Sequence, residues 1–147
     1  MQPSPLVLHV IPETFDYDIS QVGRITWNVT LAKQLIARRD QGLVIIERVE
    51  MQAIADWSAF DEAHIRDVNP QVPGIGAPIL WEGRIIFVLI DGIHRNVRAL
   101  REGLSFQARL LTDEDARRCV ISAPPGVISQ VQELLSAASP LVCHRCH

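Results

Sequence analysis

The segment Asp91-Gly92-Ile93-His94-Arg95 brings a carboxylate, a glycine, an imidazole and a guanidinium together within five residues. The chemistry such a set supports is the capture of anionic oxygens. Where a strand runs into such a turn and a helix leaves it, the first amide hydrogens of the helix have no carbonyl four residues back and point outward, where a phosphate can accept them. Gly92 lets the anion approach the backbone, Asp91 stands where an N-cap belongs, and His94 and Arg95 set donors in the first turn. Arg98 and Arg101 follow Arg95 at steps of three and extend a positive stripe along one side of the helix. A structural reading uses the same residues: Asp91 as a cap, His94 satisfied by a backbone carbonyl, and the arginines as a solvated face.

A second cluster closes the chain. Cys143-His144-Arg145-Cys146-His147 has the C-x-x-C-H spelling of haem attachment, and Cys143 and Cys146 also supply half of a zinc site. Haem attachment needs export, and residues 1–12 carry no basic region ahead of their short apolar stretch. Zinc needs two further ligands, for which Cys119, His64 or a second copy of the chain are the candidates. Otherwise the cluster is an oxidation-prone tail. Three cysteines are too few and odd in number for a disulfide framework, so free thiols in a reducing compartment are expected. His9 and His64 have no partner in sequence.

Positioning the first cluster requires particular elements. Residues 84–90 are apolar at every position after Arg84, the pattern of a central strand covered on both faces, and they end at Asp91. A helix over 93–102 is stopped by Gly103, and residues 104–111 return as a strand. Residues 79–81 pair with 84–90 through the turn Glu82-Gly83. Upstream, residues 6–11 form a strand between Pro5 and Pro12, and the polar stretch to Gln21 forms a loop. A helix follows from Asn28, with Val29, Leu31, Ala32, Leu35 and Ile36 at helical spacing and Gly42 beyond its end. Residues 43–49 read as a buried strand, and 51–57 as a short helix with Met51, Ile54, Ala55 and Trp57 turned inward. Pro70, Pro73, Gly74, Gly76 and Pro78 make 69–78 a connector without regular structure. Thr112 caps a helix beginning Asp113-Glu114-Asp115, and Pro124-Pro125 separates it from a last helix over 127–138.

Around the first cluster the sequence resembles the ParB/sulfiredoxin superfamily. Ile90-Asp91-Gly92-Ile93-His94-Arg95, with Ala99 four residues on, is similar to that family's phosphate-binding turn and helix. Pro78-Ile79-Leu80-Trp81-Glu82-Gly83 before the strand and Gly103 after the helix stand in the family's order. The likeness covers residues 74–112, and more loosely 43–57. It implies an α/β (α+β) fold with a small mixed sheet and helices packed around it. Three segments are therefore expected: an N-terminal extension over 1–42, outside the likeness and packed on the core, a ParB/sulfiredoxin-like nucleotide-binding domain over 43–139 and a Cys/His tail over 140–147.

The resemblance further implies that Gly92, Ile93, His94 and Arg95 bind the phosphates of ATP or CTP, with Arg98 a further contact. Asp91 matches the aspartate of a subset similar to free-serine kinases, which makes Asp91 and His94 the candidate catalytic pair. Such a carboxylate orients a hydroxyl, accepts its proton or helps hold Mg2+. Ile93 stands where sulfiredoxin has its cysteine, and isoleucine is no nucleophile, so sulfinic acid reduction is excluded. Too few residues follow Leu111 for the DNA-binding and dimerisation parts of partition ParB proteins. Glu47 or Glu50 would supply a second carboxylate if their strand lay beside 84–90.

Composition sets the outer bounds. With 147 residues, 48% of them hydrophobic, one domain with one core is expected. The net charge of -3 offers nothing that would draw the protein to nucleic acid or an anionic membrane, so an anion site must be local. Lys33 is the only lysine, and arginine presents the planar fork suited to phosphate. No segment is long enough to cross a bilayer, which leaves a cytoplasmic location as the expectation. The expected function is therefore a nucleotide-binding NTPase or phosphotransferase. The alternatives are a non-catalytic nucleotide-sensing or protein-interaction module, acting as a homodimer or with another protein, and a metal-dependent nuclease, which the acidic balance disfavours.

Overall fold

The computed structural model describes residues 11–19, 22–38, 42–125 and 127; the expected strand over 6–11, the helix over 127–138, His9, Cys143 and Cys146 lie wholly or almost wholly outside them. The fold is mixed α and β, with two small sheets.

The first described elements form a hairpin, β1 (Thr14–Ile19) and β2 (Gly23–Asn28), the first of them where a loop was expected. Phe15, Tyr17 and Ile19 alternate with Thr14, Asp16 and Asp18, a period of two that puts one face of the ribbon inward. The two aspartates argued for a loop because they are poor strand formers. Here they sit on the solvent face and are paired across it, Asp18 with Arg24 at 2.8 Å and Asp16 with the Thr26 hydroxyl at 2.7 Å. Cross-strand partners Phe15 and Trp27, and Tyr17 and Ile25, supply the inner face. The helix α1 (Val29–Arg38) follows directly, and Asn28 Oδ1 accepts the Leu31 amide at 2.9 Å in its first turn.

The second sheet has strands in the order β3 (Leu43–Ile46), β6 (Phe106–Leu110), β4 (Gly74–Trp81) and β5 (Arg84–Asp91), with β4 and β6 parallel and the other pairs antiparallel. Both of its faces are covered. Ile75, Ala77, Ile79, Ile86, Val88 and Ile90 pack with Ile25, Trp27, Ala32, Leu35 and, from α5 (Asp113–Cys119), Ala116 and Cys119. Leu89, Phe106 and Ala108 pack the other way, against Met51 of α2 (Arg48–Trp57) and Ala99 of α4 (Ile93–Glu102). A short α3 (Glu62–Ile65) lies against α4, and β7 (Val120–Ser122) pairs with β2, tying the end of the described chain to its beginning.

Further expectations need correction, among them the buried strand over 43–49: β3 ends at Ile46 and leaves Leu43 and Ile45 exposed. Among the described residues β5 is an edge strand, since only β4 pairs with it; its unbroken apolar run reflects two covered faces and carries no information about its edges. The connector is shorter than expected, because β4 begins at Gly74 and takes in Gly76 and Pro78. Glycine is needed where the backbones crowd: a Cβ on Gly74 would lie 2.6 Å from the Asp91 carbonyl oxygen. Pro78 has the same parity as Leu80, whose amide turns from β5 to the Val127 carbonyl, and it lies past the end of β6, so its missing N–H costs no ladder bond. Finally, Trp57 is exposed, and Ala53 and Glu50 join Met51 on the buried side of α2.

Candidate functional site

The strand-to-helix junction forms as expected, with one shift: Asp91 is the last residue of β5, and the N-cap of α4 is Gly92. Gly92 has φ 103°, in the left-handed region that side chains avoid, and a Cβ there would stand 2.9 Å from Gly74 Cα and 3.2 Å from the Phe106 ring. Gly74 and Gly92 thus meet backbone to backbone, and this contact sets the start of α4 against the start of β4. The first intrahelical bond runs from the Asn96 amide to the Gly92 carbonyl at 2.8 Å. Among the described residues no backbone or side-chain group accepts from the amides of Ile93, His94 or Arg95, and the N-cap supplies no side-chain acceptor. Three parallel donors therefore remain at the head of a ten-residue helix, where its dipole is positive.

Asp91 and Arg95 flank this opening as a half-buried pair, Arg95 Nη2 donating to Asp91 Oδ2 at 2.6 Å. Lys33 on α1 adds a second cation, its Nζ 3.9 Å from Asp91 Oδ1 and 2.8 Å from Glu13 Oε1. The hydrogen bond to Glu13 raises the Lys33 ammonium above its ordinary value; partial burial opposes this, Asp91 adds to it, and Arg95 works against it. Lys33 was singled out in sequence only as the sole lysine; nothing in the spacing of residues 33 and 91 announces their meeting.

The other side chains of the cluster turn away from the opening. His94 Nε2 accepts the Asp61 amide at 3.1 Å, which places the ring proton of the neutral imidazole on Nδ1, and the His64 ring stands edge-on with centroids 4.4 Å apart. Burial first, then the His64 charge, pushes the His94 imidazolium below its usual range, with Asp61 opposing. Arg98 Nη1 donates to the carbonyls of Arg66 and Val68 at 2.9 and 2.7 Å, and its Nε donates to Glu102 at 2.7 Å. Arg101 forks onto both oxygens of Glu62 at 2.6 and 2.7 Å and lies over the Phe60 ring. The stripe of three arginines exists, and intramolecular acceptors hold all three.

Glu47 and Glu50 do not join the site as a second carboxylate through the expected route. Their strand β3 pairs with β6, two strands removed from β5. Glu47 is the N-cap residue of α2, and Glu50 is buried within that helix. Nor do Cys119 and His64 come together as metal ligands: Cys119 is buried on one side of the four-stranded sheet and His64 packs against α4 on the other. Among the described residues no three His, Cys, Asp or Glu side chains form a group able to hold a metal ion, and no helix is long and apolar enough to cross a membrane.

Comparison with models of protein families, with curated proteins and with solved structures finds no match to this chain.

Proposed function

We propose that the head of α4 binds the phosphates of a nucleotide, ATP or CTP, and that the protein is an NTPase or phosphotransferase built on a ParB/sulfiredoxin-like fold. The observation that carries this reading is the set of open amides on Ile93, His94 and Arg95 behind a left-handed Gly92, with Lys33 and Arg95 alongside. Arg95 donates a single bond to Asp91 within the described residues, so its guanidinium retains N–H groups for an anionic oxygen. His94 contributes its amide in this arrangement, since its ring is engaged by Asp61. Arg98 is held by carbonyls and contributes charge at a distance.

Mg2+ bound with the nucleotide would neutralise part of the triphosphate charge. Asp91 is the carboxylate at the opening, and in this reading it orients a hydroxyl or water and accepts its proton. The ion pairs of Asp91 with Arg95 and Lys33 also favour a second reading, nucleotide sensing without turnover, because both carboxylate oxygens already face cations of the protein itself.

The test is calorimetric titration of the protein with ATP and with CTP in the presence of magnesium, alongside an assay of nucleotide consumption. Arg95→Ala and Lys33→Ala are each expected to weaken affinity roughly tenfold or more, the worth of a charge-assisted hydrogen bond. Unchanged affinity in both variants removes the phosphates from this turn. Turnover that disappears in Asp91→Asn while binding persists identifies the enzyme; binding with no turnover in the parent protein identifies the sensor.

A further inference from the structure

The segment from Phe60 to Val68, which includes α3, is fastened to α4 largely by polar contacts. Asp61 donates its amide to His94, Glu62 receives Arg101, and the carbonyls of Arg66 and Val68 receive Arg98. Ile65 is the buried apolar residue of α3, and the Phe60 ring lies beneath the Arg101 guanidinium. A short segment that buries so little apolar surface depends on each polar fastening. One of them is conditional on charge. A ring nitrogen that accepts an amide hydrogen cannot also carry a proton, and the same ring meets His64 edge to edge at 4.4 Å.

We propose that residues 60–68 form a proton-released clasp over the arginine stripe of α4. Protonation of His94 removes the acceptor of the Asp61 amide, and protonation of His64 places two imidazolium rings in contact. Both events favour the state in which the segment has left the helix. On release, Arg98 loses its two carbonyl acceptors and Arg101 its carboxylate, and the stripe becomes available to an anionic partner. The inference stands independently of whether the Gly92 turn binds a phosphate.

The surroundings fix the sign. Burial and the His64 charge both disfavour a proton on His94 in the fastened state, and Asp61 partly offsets them. The released state therefore takes up protons first, so fastening is complete above about pH 6.5 and weakens as pH falls below it. The other elements packed on α4 add no competing acid beside the ring. β4 carries no ionisable residue, and β6 carries Arg109. From α2, Arg48 donates to the carbonyls of Leu100 and Leu104 at the far end of the helix, Glu50 is buried, and Asp56 accepts from Gln52 at 2.8 Å. On α4 itself, Arg95 is paired with Asp91.

Amide hydrogen exchange of the full chain between pH 7.5 and 5.0, corrected for intrinsic exchange rates, tests the clasp. Protection of residues 61–68 is expected to fall about tenfold or more across this range while β4 and β5 stay protected. His94→Gln, whose side-chain oxygen accepts the Asp61 amide without titrating, is expected to abolish the step. His64→Phe, which keeps an aromatic edge and removes a charge that opposes protonation of His94, is expected to make the step smaller. A flat profile in the parent protein, or a step of equal size in a folded His94→Gln, overturns the proposal. Should circular dichroism find His94→Gln unfolded, the size of the step in His64→Phe decides: a smaller loss of protection supports the clasp, and an unchanged loss overturns it.

Discussion

Gly92 and Gly83 share a positive φ, 103° and 73°, and differ in what surrounds them. A Cβ on Gly83 meets nothing within 4 Å, whereas one on Gly92 stands 2.9 Å from the Gly74 backbone. Gly83→Ala is therefore expected to cost about 1 kcal/mol, the left-handed penalty alone, and Gly92→Ala roughly 2–4 kcal/mol, as read from urea unfolding midpoints. Equal costs would show that the backbone crowding relaxes. The Cys119 thiol is buried beside Asp115, and burial first and that carboxylate second push its pKa up to about 11. With Cys143 and Cys146 replaced by serine, no thiol is expected to react with a disulfide reagent at pH 8 until denaturant is added; reaction in the native protein would refute its burial. The chemistry-bearing residues of the turn were legible in sequence because a strand, a glycine and a helix stand next to one another in the chain. Lys33 and His64 were not, because their meetings with Asp91 and His94 exist only after the chain has folded.

At the scale of elements, punctuation was read more faithfully than faces. Thr112 caps α5 as its position suggested, its hydroxyl accepting the Asp115 amide at 3.1 Å, and Thr112→Ala is expected to lower stability by about 1 kcal/mol in the same unfolding measurement. The helix α4 stops at Gly103 for an equally local reason, since its left-handed φ of 72° lets its amide return to Ala99 and Leu100. The first hairpin escaped notice although its alternation is plain in Phe15, Tyr17 and Ile19, because Asp16 and Asp18 argued for a loop and the Arg24 and Thr26 that pair with them lie on the other strand. Inward and outward assignments at helix ends were weakest. Trp57 is exposed and Trp27 is wholly buried, so Trp57→Ala is expected to change stability by less than about 0.5 kcal/mol and Trp27→Ala to cost roughly 3–5 kcal/mol.

For the molecule as a whole, mixed α and β composition was legible from the alternation of apolar runs and helical patterns, and strand order was not. Which edge of β5 is paired depends on contacts between segments far apart in sequence, and an apolar run is silent about them. The hairpin of β1 and β2 is an integral part of the core, since Ile25 and Trp27 pack with Ile79, Ile86 and Cys119, and β7 completes its sheet. Unfolding followed by far-ultraviolet circular dichroism and by tryptophan fluorescence is therefore expected to give one coincident transition, and two separated midpoints would refute a shared core. The pairing of β2 with β7 also governs the order of events during synthesis. The hairpin leaves the ribosome before the other described elements, yet the strand that closes its second edge is made only after nearly all the described chain has been translated. Until then β2 presents an unpaired ladder to its surroundings, so this protein is expected to depend on chaperones early in translation and to complete its fold late.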